Sequence, residues 1–453
     1  GGAHGTLRPV KMSQVLPRAL DNVWYEELRG CRVALAHYHF ASAIAEFAEE
    51  RGKFLAGTVR NPALKFYRLD LARCQAQQDS LHRLKERMER MEHHPIVKRL
   101  YLAKLDEYLA HVGMMMAAAQ VDMGRFAHFA RIAYGTPSPT VFQQDLYEIR
   151  TKVEEALYSG APNAVAAAQA LLADLPSLTT AESPKSGVES GLLATVRAWV
   201  THEYAALLPP PREGQLETAE LSDLFRQALV SVGAGDWQIV IDTVTSRQSI
   251  SVQSMHQRVR IPISRQVSGA ELGRLLVHEV GTHVVRRIRG NLAPLRLLAR
   301  GLDHYERGEE GIATVYEHGL SGSVSDYDRL ASHLAVCLAL GLDGKPRDFR
   351  DVFEILVRYY SLVGLSKADL SQVSERAREQ AWRRCVRVFR GTDYRSPGIC
   401  FPRDYLYREG NTLIWELLKD DFRWLDRFPI GKYDPANREH VEALRGLGIL
   451  PAA

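Results

Sequence analysis

Cysteine is scarce in this chain, and its placement excludes two kinds of chemistry. The five cysteines, at positions 31, 74, 337, 385 and 400, are odd in number, widely spaced and free of CxxC pairs. That pattern argues against a disulfide framework and a thiolate metal site, and implies reduced thiols in a cytoplasmic setting. Also missing is any uncharged apolar run of about 18 residues, so no membrane span is expected. The opening GGAHGTLRPVKMSQ has no apolar core of signal-peptide length, and a secretory leader is not expected there. Charge of one sign is not in large excess either. Against 54 acidic residues stand 58 basic ones, a net charge of +4 that is too small to imply a nucleic-acid partner. No internal repeat of fixed period is found.

What remains is a chain of 453 residues with ordinary globular composition, long enough for two or three domains and a large core. Residues 17 to 158 carry apolar residues at helical spacing almost throughout, broken at Gly135 to Pro139. We read 1–158 as a helical N-terminal domain and a possible substrate or partner region. Residues 159–190 hold a short alanine-rich helix and then a polar stretch with Pro184 and Gly187, which reads as a linker or mobile loop. From 191 to 453 the pattern is mixed. WQIVIDTV, SISVQS and RVRIPI read as strands of a small antiparallel sheet, and Ser268 with Glu271 forms a capping box that opens the next helix. The expected class is α+β, predominantly helical: an N-terminal helical region plus a domain with a small antiparallel sheet.

The helix that Ser268 opens contains LLVHEVGTHVVRR, with His278, Glu279 and His283 inside six residues. Neutral imidazoles bind zinc well, and a glutamate beside such a ligand is placed to accept a proton. The spacing is HExxxH rather than the common HExxH. In a straight α-helix, positions i and i+5 diverge by about 140°, which would point the two rings apart. A π-type turn reduces the divergence to roughly 50°. Gly281 lies in the gap, and the spacing predicts a π-bulge or kink at Val280 to Thr282. Two unrelated histidines on one helix are the alternative.

A third ligand is available downstream in GLDHYERGEEGIATVYEHGL, where Glu309 and Glu310 open a helical run. Carboxylates in a first helical turn are favoured by the helix dipole with or without a metal. Two histidines and one glutamate nevertheless make the donor set of a catalytic zinc. Other histidines, His37, His39, His93 and His94, lack acidic or thiol companions and read as core or surface residues, and His333, in an apolar helical run, reads as a satisfied core residue rather than a fourth ligand. Near the end, residues 374 to 391 form a basic helix with Arg383, Arg384, Arg387 and Arg390. It is either a solvated face paired with acids or the source of an arginine for a substrate carboxylate.

HEVGTH, then GLDHYERGEEGIA, then RVFRGTDYRSPGICFPRDYLYREG resemble, in order, three blocks of one metallopeptidase family. It carries HExxxH and QEGLA-type motifs and includes the microtubule-associated tyrosine carboxypeptidases; this chain resembles a bacterial-type member. YGTP at 134–137 is similar to a further short element of that family. Departures are Glu309 for the usual glutamine, Pro402 for threonine and Arg403 for lysine. By position, the resemblance implies one zinc per chain on His278, His283 and Glu310, with Glu279 as general base. It places Arg403 and Tyr407 near the site and makes residues 191–453 a zincin-like catalytic domain; our own assignment, apart from the resemblance, gives Arg403 to a substrate carboxylate and Tyr407 to the oxyanion. Arg390 and Tyr405 are further candidate substrate contacts. The implied reaction is hydrolysis of the last bond at a protein or peptide C-terminus, releasing tyrosine or another aromatic residue. A zinc endopeptidase or amidase, and a non-catalytic binding protein with a structural zinc site, are the alternatives.

Overall fold

Helical periodicity in the first third of the sequence becomes a stack of helices built around one that is buried almost all round. The structure is a computed structural model that describes residues 18–41, 48–64, 69–184, 187–243, 249–364 and 370–453. The opening read above for a leader, and Lys185 and Ser186 of the expected linker, lie outside the described residues. Helix Pro95–Ala119 has fourteen buried residues among its twenty-five, Met114 and Met115 included, so it sits inside a layer rather than on one. It forms a hairpin with the amphipathic helix Leu71–Met91 and is followed by Met123–Tyr134. Helix Pro139–Ser159 starts where the break at Gly135 to Pro139 predicts, with the Ser138 hydroxyl accepting from the Val141 amide.

The N-terminal helices share a core with the rest of the chain. One cluster of buried side chains runs from Trp24 to Leu450. Polar links cross the same boundary. The Asp21 carboxylate accepts from the Tyr101 hydroxyl at 2.7 Å and from the amides of Arg296 and Leu297, both at 2.8 Å. Those amides open the short helix Leu297–Arg300, so its N-terminal cap comes from far away in sequence. His333 is fully buried between Asp145 and Glu409, a satisfied core residue as expected. Within the expected linker, helix Pro162–Asp174 and the turn after it bury Ala168, Leu171, Leu175 and Leu178.

Five short strands follow: β1 (Gln215–Leu216), β2 (Gln238–Asp242), β3 (Ser251–Gln253), β4 (Arg258–Pro262) and β5 (Val267–Ser268). β1 pairs antiparallel with β5, and β2, β4 and β3 form a sheet in that order. β3 and β4 are antiparallel, as expected, but β2 and β4 run parallel, in register from Gln238 with Arg258 to Asp242 with Pro262. The sheet is therefore mixed rather than antiparallel. Alternating apolar residues specify a strand but not its direction. Here β3 turns directly back onto β4 through Ser254–His256, and β2 takes the far edge of β4.

β5 leads into helix Gly269–Leu276, where the Ser268 hydroxyl accepts from the Glu271 amide at 3.2 Å. Only this half of the capping box forms, because the Glu271 carboxylate turns to Arg265. The same helix continues as a π-helix over Val277–Val284 and returns to α geometry in Val285–Leu292. The π segment is wider than the three residues expected. The Thr282 hydroxyl donates to the Val277 carbonyl five residues back, at 3.2 Å.

Helix Glu306–Ser321 crosses behind it, eleven of its sixteen residues buried, and packs on helix Tyr405–Asp420. The crossing depends on two glycines. A Cβ on Gly410 would lie 2.0 Å from the Arg307 carbonyl oxygen, and one on Gly311 would lie 2.4 Å from the Gly410 oxygen. Gly410→Ala is therefore expected to destabilise the protein by about 1–3 kcal/mol, the usual cost of overpacking. The check is the urea midpoint, which should fall with an unchanged slope. An unmoved midpoint would mean that the helices separate at no cost. Among the described residues no helix is long and apolar enough to cross a membrane.

Candidate active site

Two helices bring the site together. The π segment places the His278 and His283 rings on one side, with centroids 5.1 Å apart. The Glu306–Ser321 helix presents Glu310 to both. Its Oε2 lies 3.5 Å from His278 Nε2 and 3.8 Å from His283 Nε2. The three ligand atoms lie within 4.8 Å of one another, the one such group among the described residues. Glu310 Oε2 is buried and has no hydrogen-bond partner. A buried carboxylate oxygen left without a partner, facing two imidazole nitrogens, is a donor set that fits a zinc ion.

Each imidazole is oriented from behind. His278 Nδ1 bonds to Glu317, and His283 Nδ1 lies 3.0 Å from Glu309 Oε2. A carboxylate on the far nitrogen of a ligating histidine fixes the ring and its tautomer and raises its basicity. Both carboxylates are themselves held. Arg329 lies 3.3 Å from Glu317, and Glu309 accepts from Lys432 at 2.7 and 2.8 Å and from Arg286 at 3.3 Å. The departure from glutamine at 309 thus comes with two buried cations that balance it. Sequence reasoning missed Glu317, but its signal was present. Glu306, Glu310 and Glu317 are spaced by four and seven, which puts all three on one face of a helix. Lys432 and Arg286 carried no such signal.

The charges follow from this packing. Burial opposes ionisation of Glu309, but Lys432, His283 and Arg286 outweigh it and hold the carboxyl far below its ordinary range. Burial likewise opposes charge on Glu317, and His278 and Arg329 bring its pKa down to about 2. Burial would neutralise His278, yet Glu317 and Glu310 raise its pKa well above that of a free imidazole. Glu279 moves the other way. Burial raises its pKa, and Glu310 and Glu317 add to that against the pull of both histidines. It lines the cavity beside the ligand set.

That cavity has a volume of about 1100 Å³. Arg403, Arg390 and Tyr407 line it as well. Arg403 Nε donates to Glu306 at 2.8 Å and Nη1 to the Tyr407 hydroxyl at 3.1 Å, while Nη2 lies 3.9 Å from Glu310. Tyr407 oxygen accepts from Arg403, so its own proton is left to donate. Arg390 stacks on Phe401 with its carbon 4.4 Å from the ring centre, and its Nε and Nη2 lack hydrogen-bond partners. Burial and Arg387 lower its pKa to about 10. The last turns of the basic helix line the cavity, where Arg387 bonds to Asp404 at 2.8 Å and Arg384 to Asp328 at 2.9 Å, while Arg383 is exposed and pairs with Glu379, so the helix is in part cavity wall and in part a solvated face paired with acids. Tyr405 is not brought to the site: its ring is buried, it is not part of the lining, and its hydroxyl donates to the Tyr134 carbonyl. The N-terminal helices, assigned above only a general substrate or partner role, supply Tyr38, Lys104, Glu107 and His111 to the cavity wall.

The microtubule-associated tyrosine carboxypeptidase family matches residues 193–453, more than half of the sequence. The chain belongs to this family. No curated protein and no solved structure matches. The family match takes in the π segment, the glutamate helix and the block from Arg387 to Gly410. The YGTP element and the N-terminal wall of the cavity lie outside it.

Proposed function

We propose that the chain is a zinc-dependent carboxypeptidase that hydrolyses the last peptide bond of a protein or peptide and releases tyrosine or another aromatic residue. The observation that carries this is the convergence of His278 Nε2, His283 Nε2 and the unpartnered Glu310 Oε2 in a cavity that also holds Glu279. Those three residues would hold one zinc per chain, which supplies Lewis acidity and brings the pKa of a bound water near 7. Glu279, raised by burial, takes the proton of the attacking water on its carboxylate and delivers it to the leaving amine nitrogen. Tyr407 donates its free proton to the carbonyl oxygen as negative charge develops there. Arg403, a planar fork on the cavity wall, binds the terminal carboxylate, with Arg390 behind it. The HExxxH motif and family membership support the same assignment. Residues 191–453 then carry the machinery, and 1–158 supply a wall of the substrate space. Unpaired cysteines throughout accord with a cytoplasmic setting.

The experiment is elemental analysis of protein purified without added zinc, beside His283→Ala, followed by assay of peptides with varied C-terminal residues. About one zinc per chain, lost in the variant, with release of a single C-terminal residue, is expected. Cleavage of C-terminally amidated peptides at equal rate would favour an endopeptidase or amidase instead. Zinc that binds without any hydrolysis would leave a binding protein with a structural site.

A further inference from the structure

Of the aromatic side chains on the cavity wall that have no part in the chemistry above, Tyr38 is the most exposed by a wide margin over Tyr108, Tyr360 and Trp382, which are buried. Tyr38 sits on the short helix Ala36–Ala41, whose Ala36 and Phe40 are fully buried in the core. Its own ring is 42 % exposed, and the space it is exposed to is the active-site cavity. Glu306, Arg403, Glu309 and Glu310 are close enough for their charges to act on its hydroxyl, with Glu306 and Arg403 the strongest. From behind, the His37 ring supports it with centroids 4.0 Å apart. Burial keeps that imidazole neutral, so the support is an apolar face rather than a cation.

We propose that Tyr38 is a specificity-determining residue, which packs its ring on the side chain of the C-terminal residue to be released and so selects an aromatic one. This inference rests on the carboxypeptidase reading. If Arg403 holds the terminal carboxylate, the side chain on the same Cα faces the wall of the same cavity, which Tyr38 lines close enough for the Arg403 charge to act on its hydroxyl. Offset or edge-on aromatic pairs add an increment beyond simple burial. The ring is preorganised by His37 and by the buried residues around it, so little freedom is lost on contact. It comes from outside the family match, which begins at residue 193, so it distinguishes this chain's cavity by a part the family match does not cover.

The test compares the parent, Tyr38→Ala and Tyr38→Phe on two peptides that differ only in a C-terminal phenylalanine or alanine. Tyr38→Ala is expected to raise KM for the phenylalanine peptide by about tenfold, the order of one aromatic pair. The loss should fall on KM rather than kcat, the alanine peptide should change little, and Tyr38→Phe should recover most of the effect. Equal changes on both peptides, or none, would overturn the proposal. A second measurement keeps it separate from the catalytic reading: calorimetric binding of both peptides to Glu279→Gln, with and without Tyr38→Ala. If the parent hydrolyses nothing, the carboxypeptidase reading fails. Selective loss of phenylalanine-peptide binding would then still uphold Tyr38 as the aromatic contact, and unselective binding would remove it.

Discussion

Glu279→Gln is expected to lower peptide hydrolysis by about 10²–10⁴-fold, the usual contribution of a positioned acid–base group, while zinc content stays at the parent level. The substitution is isosteric and removes only the ability to accept a proton. Glu279 lies beside the ligand set without belonging to it, since the three converging ligand atoms come from His278, His283 and Glu310. Its placement on the π segment, directly after His278, aims it into the cavity. Turnover at the parent rate with zinc bound would remove Glu279 as the base. Loss of zinc with loss of activity would show instead that its role is to shape the site.

Glu309→Gln should be more damaging than its conservative appearance suggests. The carboxylate is buried against Lys432 and Arg286 and orients His283. Removing one partner from a buried charge network leaves the others uncompensated, which costs about 3–5 kcal/mol. Loss of an outer-sphere partner of a ligating histidine lowers metal affinity by about 10–100-fold. Because the folded carboxyl titrates far below its ordinary 4.5, its contribution is in force at neutral pH and is lost as pH falls through the depressed value. Pairing Glu309→Gln with Lys432→Met should restore part of the stability, since the lysine charge is removed with its partner while Arg286 keeps its hydrogen bonds to the Phe428 and Tyr433 carbonyls at 2.9 and 2.6 Å. Urea unfolding of the metal-free proteins, with a zinc titration of each, forms the double-mutant cycle. If the two changes add without coupling, the Glu309–Lys432 pair is not what holds Glu309 in place.

The N-terminal helices also bear on how such variants are interpreted. Asp21 caps the start of Leu297–Arg300, and Ser138, Asp145 and Tyr134 bond to residues of the last third of the chain. A division near residue 158 runs through one core rather than between two. The candidate ligand set lies wholly after residue 191, while the cavity beside it takes part of its wall from before residue 158.

The approach of His278 to His283 was legible because the two lie five residues apart on one helix, with Glu279 between them. The π segment was legible because five-residue spacing is incompatible with a straight α-helix. The helical periods of the first third, the strand positions and the N-cap at Ser268 were local as well, each set by residues a few places apart. The sequence alone thus determined the class, most of the elements and the core of the proposed donor set. The residues themselves left the Glu309–Glu310 pair open, and Glu310 was implied by resemblance alone; the tertiary structure turns Glu310 to the histidines and sets Glu309 behind His283. The two differ by about 100° around a helix whose rotation is set by packing on Gly410. It alone brought Lys432 and Arg286 to Glu309, turned Tyr405 away from the cavity and carried Tyr38 into it. Those relations join residues from 23 to 365 positions apart, and burial, charge pairing and close packing between distant segments leave no period in a sequence by which to read them.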